Sequence, residues 1–207
     1  MSRPAEPEGR RRREVALAGH TGDTETARAG LGDESPAVRA SALGALARLG
    51  DLLPDDLAVA MDDPAPGVRA RAAELSVPAG EGAVTALVQL LGDPAPQVAE
   101  AACFALGEIG PGASAAVPAL CRTAGDHREP LVREAAVAAL GSIGDEAGLP
   151  AILAATADKP AVRRRAVLAL APFEGEDVQA ALERALQDRD WQVRQAAEDM
   201  TGRAGST

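Results

Sequence analysis

The chain of 207 residues has no tyrosine and no asparagine, and only 1% of its residues are aromatic. Large β-sandwiches and barrels depend on aromatic and β-branched side chains, so this shortage argues against an all-β fold. Alanine is abundant instead and occurs 48 times. Because alanine has the highest helix propensity of all residues, the composition predicts a helical protein with small side chains in its core.

Basic residues are scarce as well. The chain has 21 basic and 31 acidic residues, which gives a net charge of −10. Nucleic-acid binding depends on basic side chains that neutralise phosphates, so the balance argues against a nucleic-acid partner. The charge is uneven, with −8 over residues 51–110 and +3 over residues 1–13. A basic partner would be attracted to the acidic part. Twenty arginines against one lysine suggest a GC-rich, bacterial genome.

Cysteines and long apolar runs are also few. Two cysteines do not make a disulfide framework, and both Cys103 and Cys121 lie in apolar helical patterns, which favours buried free thiols over a bridge. No apolar run approaches 18 residues, so we expect no membrane span. The segment after Arg10–Arg13 is too short for a signal peptide. These features predict a cytoplasmic protein.

Residues suited to catalysis are few. The two histidines, His20 and His127, are far apart in the sequence, and there is no His-Glu dipeptide, metal-binding motif, nucleophile elbow or phosphate-binding loop. Cys103 lies in mid-helix rather than at an activating helix N-terminus. We therefore expect no catalytic residues, no cofactor site and no metal site, and predict that the chain is not an enzyme.

One sequence motif recurs six times along the chain. In each copy an aspartate lies a few residues before a valine, and an alanine follows four residues after the valine. A glycine often ends the motif. The recurring valines, 30 to 34 residues apart, are Val38, Val68, Val98, Val132, Val162 and Val193. Spacing of this kind is the signature of a repeat protein.

Each repeat has the pattern of two helices. In residues 81–110, apolar positions at helical spacing end at Gly92, and a second amphipathic stretch ends at Gly110. Asp93 is expected to cap the second helix, and Pro96 fits its first turn. The alanine of each repeat lets neighbouring helices approach closely.

The recurring motif resembles that of the HEAT repeat family, in its short PBS-lyase HEAT-like form, over about residues 23–202. The resemblance implies a ladder of hydrogen bonds between the aspartate and arginine positions of successive repeats. Those positions are Asp33, Asp63, Asp93 and Asp188, with Arg39, Arg69, Arg133, Arg163 and Arg194. Ala99 stands where an arginine is expected, and at His127 and Ala157 the aspartate is displaced to Asp126 and Asp158. An interruption of the ladder in its middle is therefore expected.

The predicted fold is an all-α superhelix, an α-solenoid of about six two-helix repeats preceded by a short capping helix over residues 10–20. We expect one domain over residues 10–203, with disordered tails at 1–9 and 204–207. The predicted helix pairs cover 23–50, 52–80, 81–110, 113–144, 146–175 and 176–203.

The concave face of such a solenoid is lined by the second helices, at positions two and six residues after each valine. Across the repeats these positions carry an acidic line, Glu74, Glu100 and Glu134, which ends at Arg164, and two apolar side chains, Phe104 and Leu168. One interpretation is a solvated face with a Glu134–Arg164 ion pair; the other is a groove for a basic peptide with an apolar anchor. Trp191 is interpreted as a cap over the end of the core, with an exposed contact as the alternative.

The sequence thus predicts a monomeric, non-enzymatic scaffold or adaptor that presents an acidic concave face to a protein or basic peptide. The alternative is a lyase-type HEAT enzyme, or a subunit of one, acting on a cofactor-bearing partner protein.

Overall fold

The computed structural model describes residues 7–202, and this part of the chain forms α-helices joined by turns and short 3-10 segments. Its thirteen α-helices are α1 (Glu8–Thr21), α2 (Thr24–Ala29), α3 (Pro36–Leu49), α4 (Pro54–Met61), α5 (Pro66–Leu75), α6 (Val84–Leu90), α7 (Pro96–Ile109), α8 (Val117–Asp126), α9 (Pro130–Ile143), α10 (Leu149–Ala155), α11 (Pro160–Ala169), α12 (Glu176–Ala185) and α13 (Trp191–Thr201). From α2 onward they form six pairs, which confirms the predicted all-α solenoid class.

The chain divides into two compact units, and the boundary lies between Ala79 and Gly80. The first unit contains α1 to α5 and the second contains α6 to α13. Gly80, at the boundary, has a φ of 56° and a ψ of −133°, a backbone conformation that side chains with a Cβ rarely adopt. One domain over residues 10–203 stays a prediction from the sequence.

The second helix of each pair begins at proline in five of the six repeats, where the missing N–H group has no helical partner to lose. The aspartate before it does not act as the predicted N-cap. Asp93 accepts a hydrogen bond from the backbone N–H of Ala95, at 2.8 Å, and Ala95 is the N-cap residue of α7. The aspartate therefore closes the turn that leads into the helix.

The core consists of the recurring small residues. All six repeat valines are at most 2% exposed, and the alanine four residues after each of them is fully buried. In the first unit α3 packs against α1 and α5, and in the second unit α9 packs against α7 and α11. Glycine brings α9 and α11 closer still: a Cβ built on Gly141 would lie 2.7 Å from the Cβ of Ala169.

Helix α1 is longer than the predicted capping helix over residues 10–20, since it begins at Glu8 and ends at Thr21. Residues 8 and 9, expected in a disordered tail, are therefore helical. Of the other residues in the predicted tails, Pro7 is the N-cap of α1, and residues 1–6 and 204–207 lie outside the described residues. The residue after the helix, Gly22, has a φ of 84°, in the left-handed region. Gly50 after α3 and Gly144 after α9 have the same conformation.

One stretch of 31 residues, Pro96–Asp126, is long and apolar enough to cross a membrane by length and composition alone. It is not one continuous helix, because α7 ends at Gly110, where the backbone has a φ of 66° and a ψ of −137°. Half of its most apolar part is buried inside the second unit. Core helices of this kind pass the same test, so the stretch carries no argument for a membrane span.

Candidate functional site

Arginine–aspartate pairs link successive repeats, and we call each pair a rung. In the first unit Arg39 binds both carboxylate oxygens of Asp63 through Nε and Nη2, each at 2.7 Å. Its Nη1 donates to the backbone carbonyl of Asp33 at 2.8 Å. One guanidinium thus ties the turn before α3 to the turn before α5.

The second unit contains two rungs of the same geometry. Arg133 binds Asp158, and Arg163 binds Asp188, with N···O distances of 2.7 to 2.8 Å. The expected displacement at Asp158 therefore does not interrupt the ladder. The hydrogen bonds from arginine hold the pKa of Asp158 and Asp188, like that of Asp63, below the ordinary aspartate value.

The ladder does lack a rung between the third and fourth repeats, and both of its members are replaced. Ala99, fully buried, stands in the arginine position, and His127 stands in the aspartate position. His127 keeps one function of the aspartate, because its Nδ1 accepts a hydrogen bond from the backbone N–H of Glu129 at 3.2 Å. Replacing both members avoids leaving an arginine or a carboxylate half-buried without its partner.

A further rung, which the sequence analysis missed, comes from α1. Arg11 binds Asp33 through Nε at 2.8 Å and Nη2 at 3.0 Å, and Nη2 also contacts Glu34. The signal was present in the sequence: Arg11 precedes Gly22 by as many residues as Arg39 precedes Gly50. Helix α1 thus occupies the place that the second helix of a repeat takes in the ladder.

A groove of about 430 Å³ lies on α7, α9 and α11 of the second unit, and we call it the second-unit groove. Phe104 and Leu131, 57% and 56% exposed, form its apolar part. Its charged residues are Glu100, Glu108, Glu134 and Arg165. The structure thus brings together three of the predicted site residues, Glu100, Phe104 and Glu134, in a groove with a net negative charge.

Glu134 forms an ion pair with Arg165 inside the second-unit groove. Its side chain is 17% exposed, and its Oε1 lies 3.6 Å from Nη2 of Arg165. The sequence predicted Arg164 as its partner, which is wrong. The Nε atom of Arg165 is buried and has no hydrogen-bond partner in the described part of the chain.

Cys103 also lines the second-unit groove, and its thiol is buried. Burial, and then the negative charge of Glu100, raise the pKa of the thiol to about 12. The thiol is therefore protonated at neutral pH and is a poor nucleophile. Both Cys103 and Cys121 are free.

The remaining predicted site residues lie elsewhere. Arg164 and Leu168 are on α11 but do not line this groove, and Leu168 is 37% exposed. Trp191 is 65% exposed at the first residue of α13, so its interpretation as a cap over the core is wrong.

Glu74 belongs to the first unit and lines a different groove, of about 520 Å³, on α1, α3 and α5. We call it the first-unit groove. Its other charged residues are Arg12, Arg48 and Arg71, and Glu74 pairs with Arg71 at 2.8 Å. The sequence predicted an acidic face at Glu74, but this groove is not acidic, because its arginines outnumber its glutamate.

In residues 7–202 no group of three or more histidine, cysteine, aspartate or glutamate side chains is placed to hold a metal ion. His127 serves the turn before α9, as described above, and His20 is exposed near the end of α1.

Two family models match the sequence. The model of HEAT repeats matches residues 84–171, and the model of the PBS lyase HEAT-like repeat matches residues 162–188. The chain belongs to the HEAT repeat family. No curated protein matches the sequence.

Solved structures with a similar fold include three whose names bear on function. The CpcE–CpcF complex of phycocyanin lyase from Nostoc sp. PCC7120 is 24% identical, with a TM-score of 0.60 over 86% of this chain and 76% of that one. Human deoxyhypusine hydroxylase is 22% identical, with a TM-score of 0.50 over 96% and 80%. A designed armadillo repeat protein in complex with the peptide (KR)4 is 18% identical, with a TM-score of 0.51 over 92% and 85%.

These similarities correct the prediction that the chain is not an enzyme. That prediction rested on the repeat fold and on missing motifs, yet a lyase and a hydroxylase share the fold. At these identities the likeness shows the fold alone, and the fold does not settle enzymatic status.

Proposed function

We propose that the chain binds a protein partner, and that its second-unit groove takes a partner segment in which an apolar side chain lies next to a basic one. The observation that carries the proposal is the exposure of Phe104 and Leu131 beside three glutamates. Large exposed apolar side chains in a concave site are the usual anchors of protein interfaces.

The apolar part of the groove would supply most of the affinity. Phe104 and Leu131 extend from α7 and α9, with small residues of α9 such as Ala135 and Ala138 beside them. A leucine or phenylalanine side chain buried there would remove apolar surface of both molecules from water, at about 25 cal/mol per Å².

The glutamates would supply orientation and association rate. Glu100, Glu108 and Glu134 outnumber Arg165, so a basic side chain of the partner is attracted to the groove. Glu134 is already held by Arg165, and an incoming arginine would share that carboxylate. The designed armadillo protein, which is similar in fold, was solved with a basic peptide, and this supports the choice of ligand.

The test is a titration of the chain with three fluorescein-labelled peptides, (LR)4, (KR)4 and (DE)4, followed by fluorescence anisotropy. We expect (LR)4 to bind best, because it offers both kinds of side chain, and (DE)4 not to bind the second-unit groove. Phe104→Ala should weaken (LR)4 binding about tenfold or more through faster dissociation. Glu100→Gln with Glu134→Gln should slow association and flatten its salt dependence.

Two matched controls lie outside the groove. Leu53→Ala removes an exposed apolar side chain of the first unit, and Glu146→Gln removes an exposed carboxylate of the second. Both should bind (LR)4 as the unmodified chain does. If Phe104→Ala and the double glutamine variant also bind it normally, the second-unit groove is not the binding site.

A second candidate function is that of a lyase-type enzyme or subunit, which acts on a cofactor-bearing partner protein. It is favoured by the match of residues 162–188 to the PBS lyase HEAT-like repeat. The absorption spectrum of the chain, purified from its native host, distinguishes the candidates, since a co-purified chromophore would favour the lyase.

A further inference from the structure

We propose that the first-unit groove is a second binding site, of opposite charge, that takes an acidic peptide segment. Three helices of the first unit, α1, α3 and α5, each contribute one arginine to it: Arg12, Arg48 and Arg71. Among residues 7–202, Glu74 is the one acidic residue that lines the groove, so these residues give it a formal charge of +2 in a chain whose net charge is −10. This site does not depend on the function proposed for the second unit.

The three guanidinium groups are held in place by contacts within the unit. Nε of Arg12 donates to Oγ of Ser41 at 3.3 Å, and Nη1 of Arg48 donates to the backbone carbonyl of Gly44 at 2.9 Å. Nη1 of Arg71 donates to Glu74 at 2.8 Å. Each of these hydrogen bonds uses one nitrogen, whereas a guanidinium has five N–H donors, so donors remain for the carboxylates of a ligand. Side chains fixed before binding lose less entropy when the ligand arrives.

The floor of the groove consists of small residues, among them Ala40, Gly44 and Ala70. Gly44 leaves room for the guanidinium of Arg71, because a Cβ at position 44 would lie 3.1 Å from Nη2 of Arg71, which is closer than an ordinary contact. The floor offers no large apolar anchor of the kind that Phe104 gives the other groove. A ligand would therefore be held by its charges and its backbone, as an extended segment rich in aspartate or glutamate would be.

The same features favour a peptide over a nucleic acid. In the described part of the chain no aromatic residue lines the groove, so bases have no surface there on which to stack. Three arginines neutralise few phosphates, and the acidic remainder of the chain repels a polyanion that extends beyond the groove.

The experiment is a titration with fluorescein-labelled (DE)4, measured by anisotropy at several salt concentrations. We expect binding that weakens with salt, and a loss of tenfold or more in affinity for Arg48→Gln with Arg71→Gln. The matched control is Arg13→Gln, which removes an exposed arginine of α1 outside the groove and should leave binding unchanged. Circular dichroism checks folding, and Arg12→Gln, at an exposed position, replaces the double variant if that variant unfolds.

Several outcomes would overturn the proposal. They are failure of (DE)4 to bind, equal loss with Arg13→Gln, and stronger Arg48-dependent binding of a labelled oligothymidylate than of (DE)4. Self-association of the free chain that Arg48→Gln with Arg71→Gln abolishes would identify a second copy as the occupant instead. Variants of Glu100 and Glu134 should not weaken (DE)4 binding, so the two grooves are tested separately.

Discussion

Replacing Gly141 with alanine tests the close packing of α9 against α11. The added Cβ would lie 2.7 Å from Cβ, 2.8 Å from Cα and 3.0 Å from the carbonyl oxygen of Ala169. Two of these atoms belong to the backbone, so no side-chain rotation relieves the clash. To restore about 3.5 Å, the short end of ordinary carbon–carbon contact, the helices would have to separate by about 0.8 Å.

The expected loss is worked from two opposing effects. Overpacking of a dense core costs roughly 1–3 kcal/mol, and a contact with rigid backbone places Gly141→Ala in the upper part of that range. Alanine in place of glycine within a helix returns up to about 1 kcal/mol. The free energy of unfolding should therefore fall by about 1–2 kcal/mol.

A matched control removes the helix-propensity effect. Gly125 is also helical, in α8, and a Cβ there would meet nothing within 4 Å. Gly125→Ala should leave stability unchanged or raise it by up to about 1 kcal/mol. Urea denaturation followed by far-ultraviolet circular dichroism measures both variants. If Gly141→Ala is as stable as Gly125→Ala, the two helices are not in the close contact described.

Two further predictions concern the ladder. Asp158 has a folded-state pKa below its unfolded value of about 3.9, so its stabilising effect is complete above that value and is lost as the pH falls further. Asp158→Asn should lower the free energy of unfolding by about 2 kcal/mol at neutral pH. In urea titrations at several pH values, the difference in stability between the variant and the unmodified chain should shrink below about pH 4. An unchanged difference at about pH 3 would contradict the pairing of Asp158 with Arg133. Ala99→Arg should destabilise the chain, since Ala99 is fully buried, and adding His127→Asp should restore roughly 0.5–3 kcal/mol in a double-mutant cycle. Zero coupling would mean that the two positions do not face each other as a rung.

The periodic part of the structure could be predicted from sequence. Val98 and Ala102 are buried, as their spacing indicates, because a repeat that stacks on its neighbours must bury the same positions each time. The pairing of Arg39 with Asp63 follows from the ladder that the resemblance to the HEAT repeat family implies. Phe104 was expected on the surface from its place six residues after the valine, and it is exposed.

The features that depend on local departures from the period could not be predicted in the same way. A helical position fixes the Cα atom but not the direction of a long side chain, so Arg165 rather than Arg164 reaches Glu134. Arg11 has no valine before it and was therefore missed as a rung. Trp191 was misinterpreted although it occupies the first helical residue, where Pro36 and Pro130 are also exposed.

The double replacement at Ala99 and His127 can arise by two orders of mutation, and the contacts of the ladder make one of them less damaging. Six copies of one motif imply duplication of an ancestral repeat that carried the arginine and the aspartate. Losing the arginine first would have left a carboxylate that still closed its turn, as Asp93 does. Losing the aspartate first would have left a half-buried arginine without a counter-charge, which is the more damaging intermediate. Loss of the arginine before the aspartate is therefore the less damaging order, and a histidine that accepts the hydrogen bond of the turn keeps the one function that then remains.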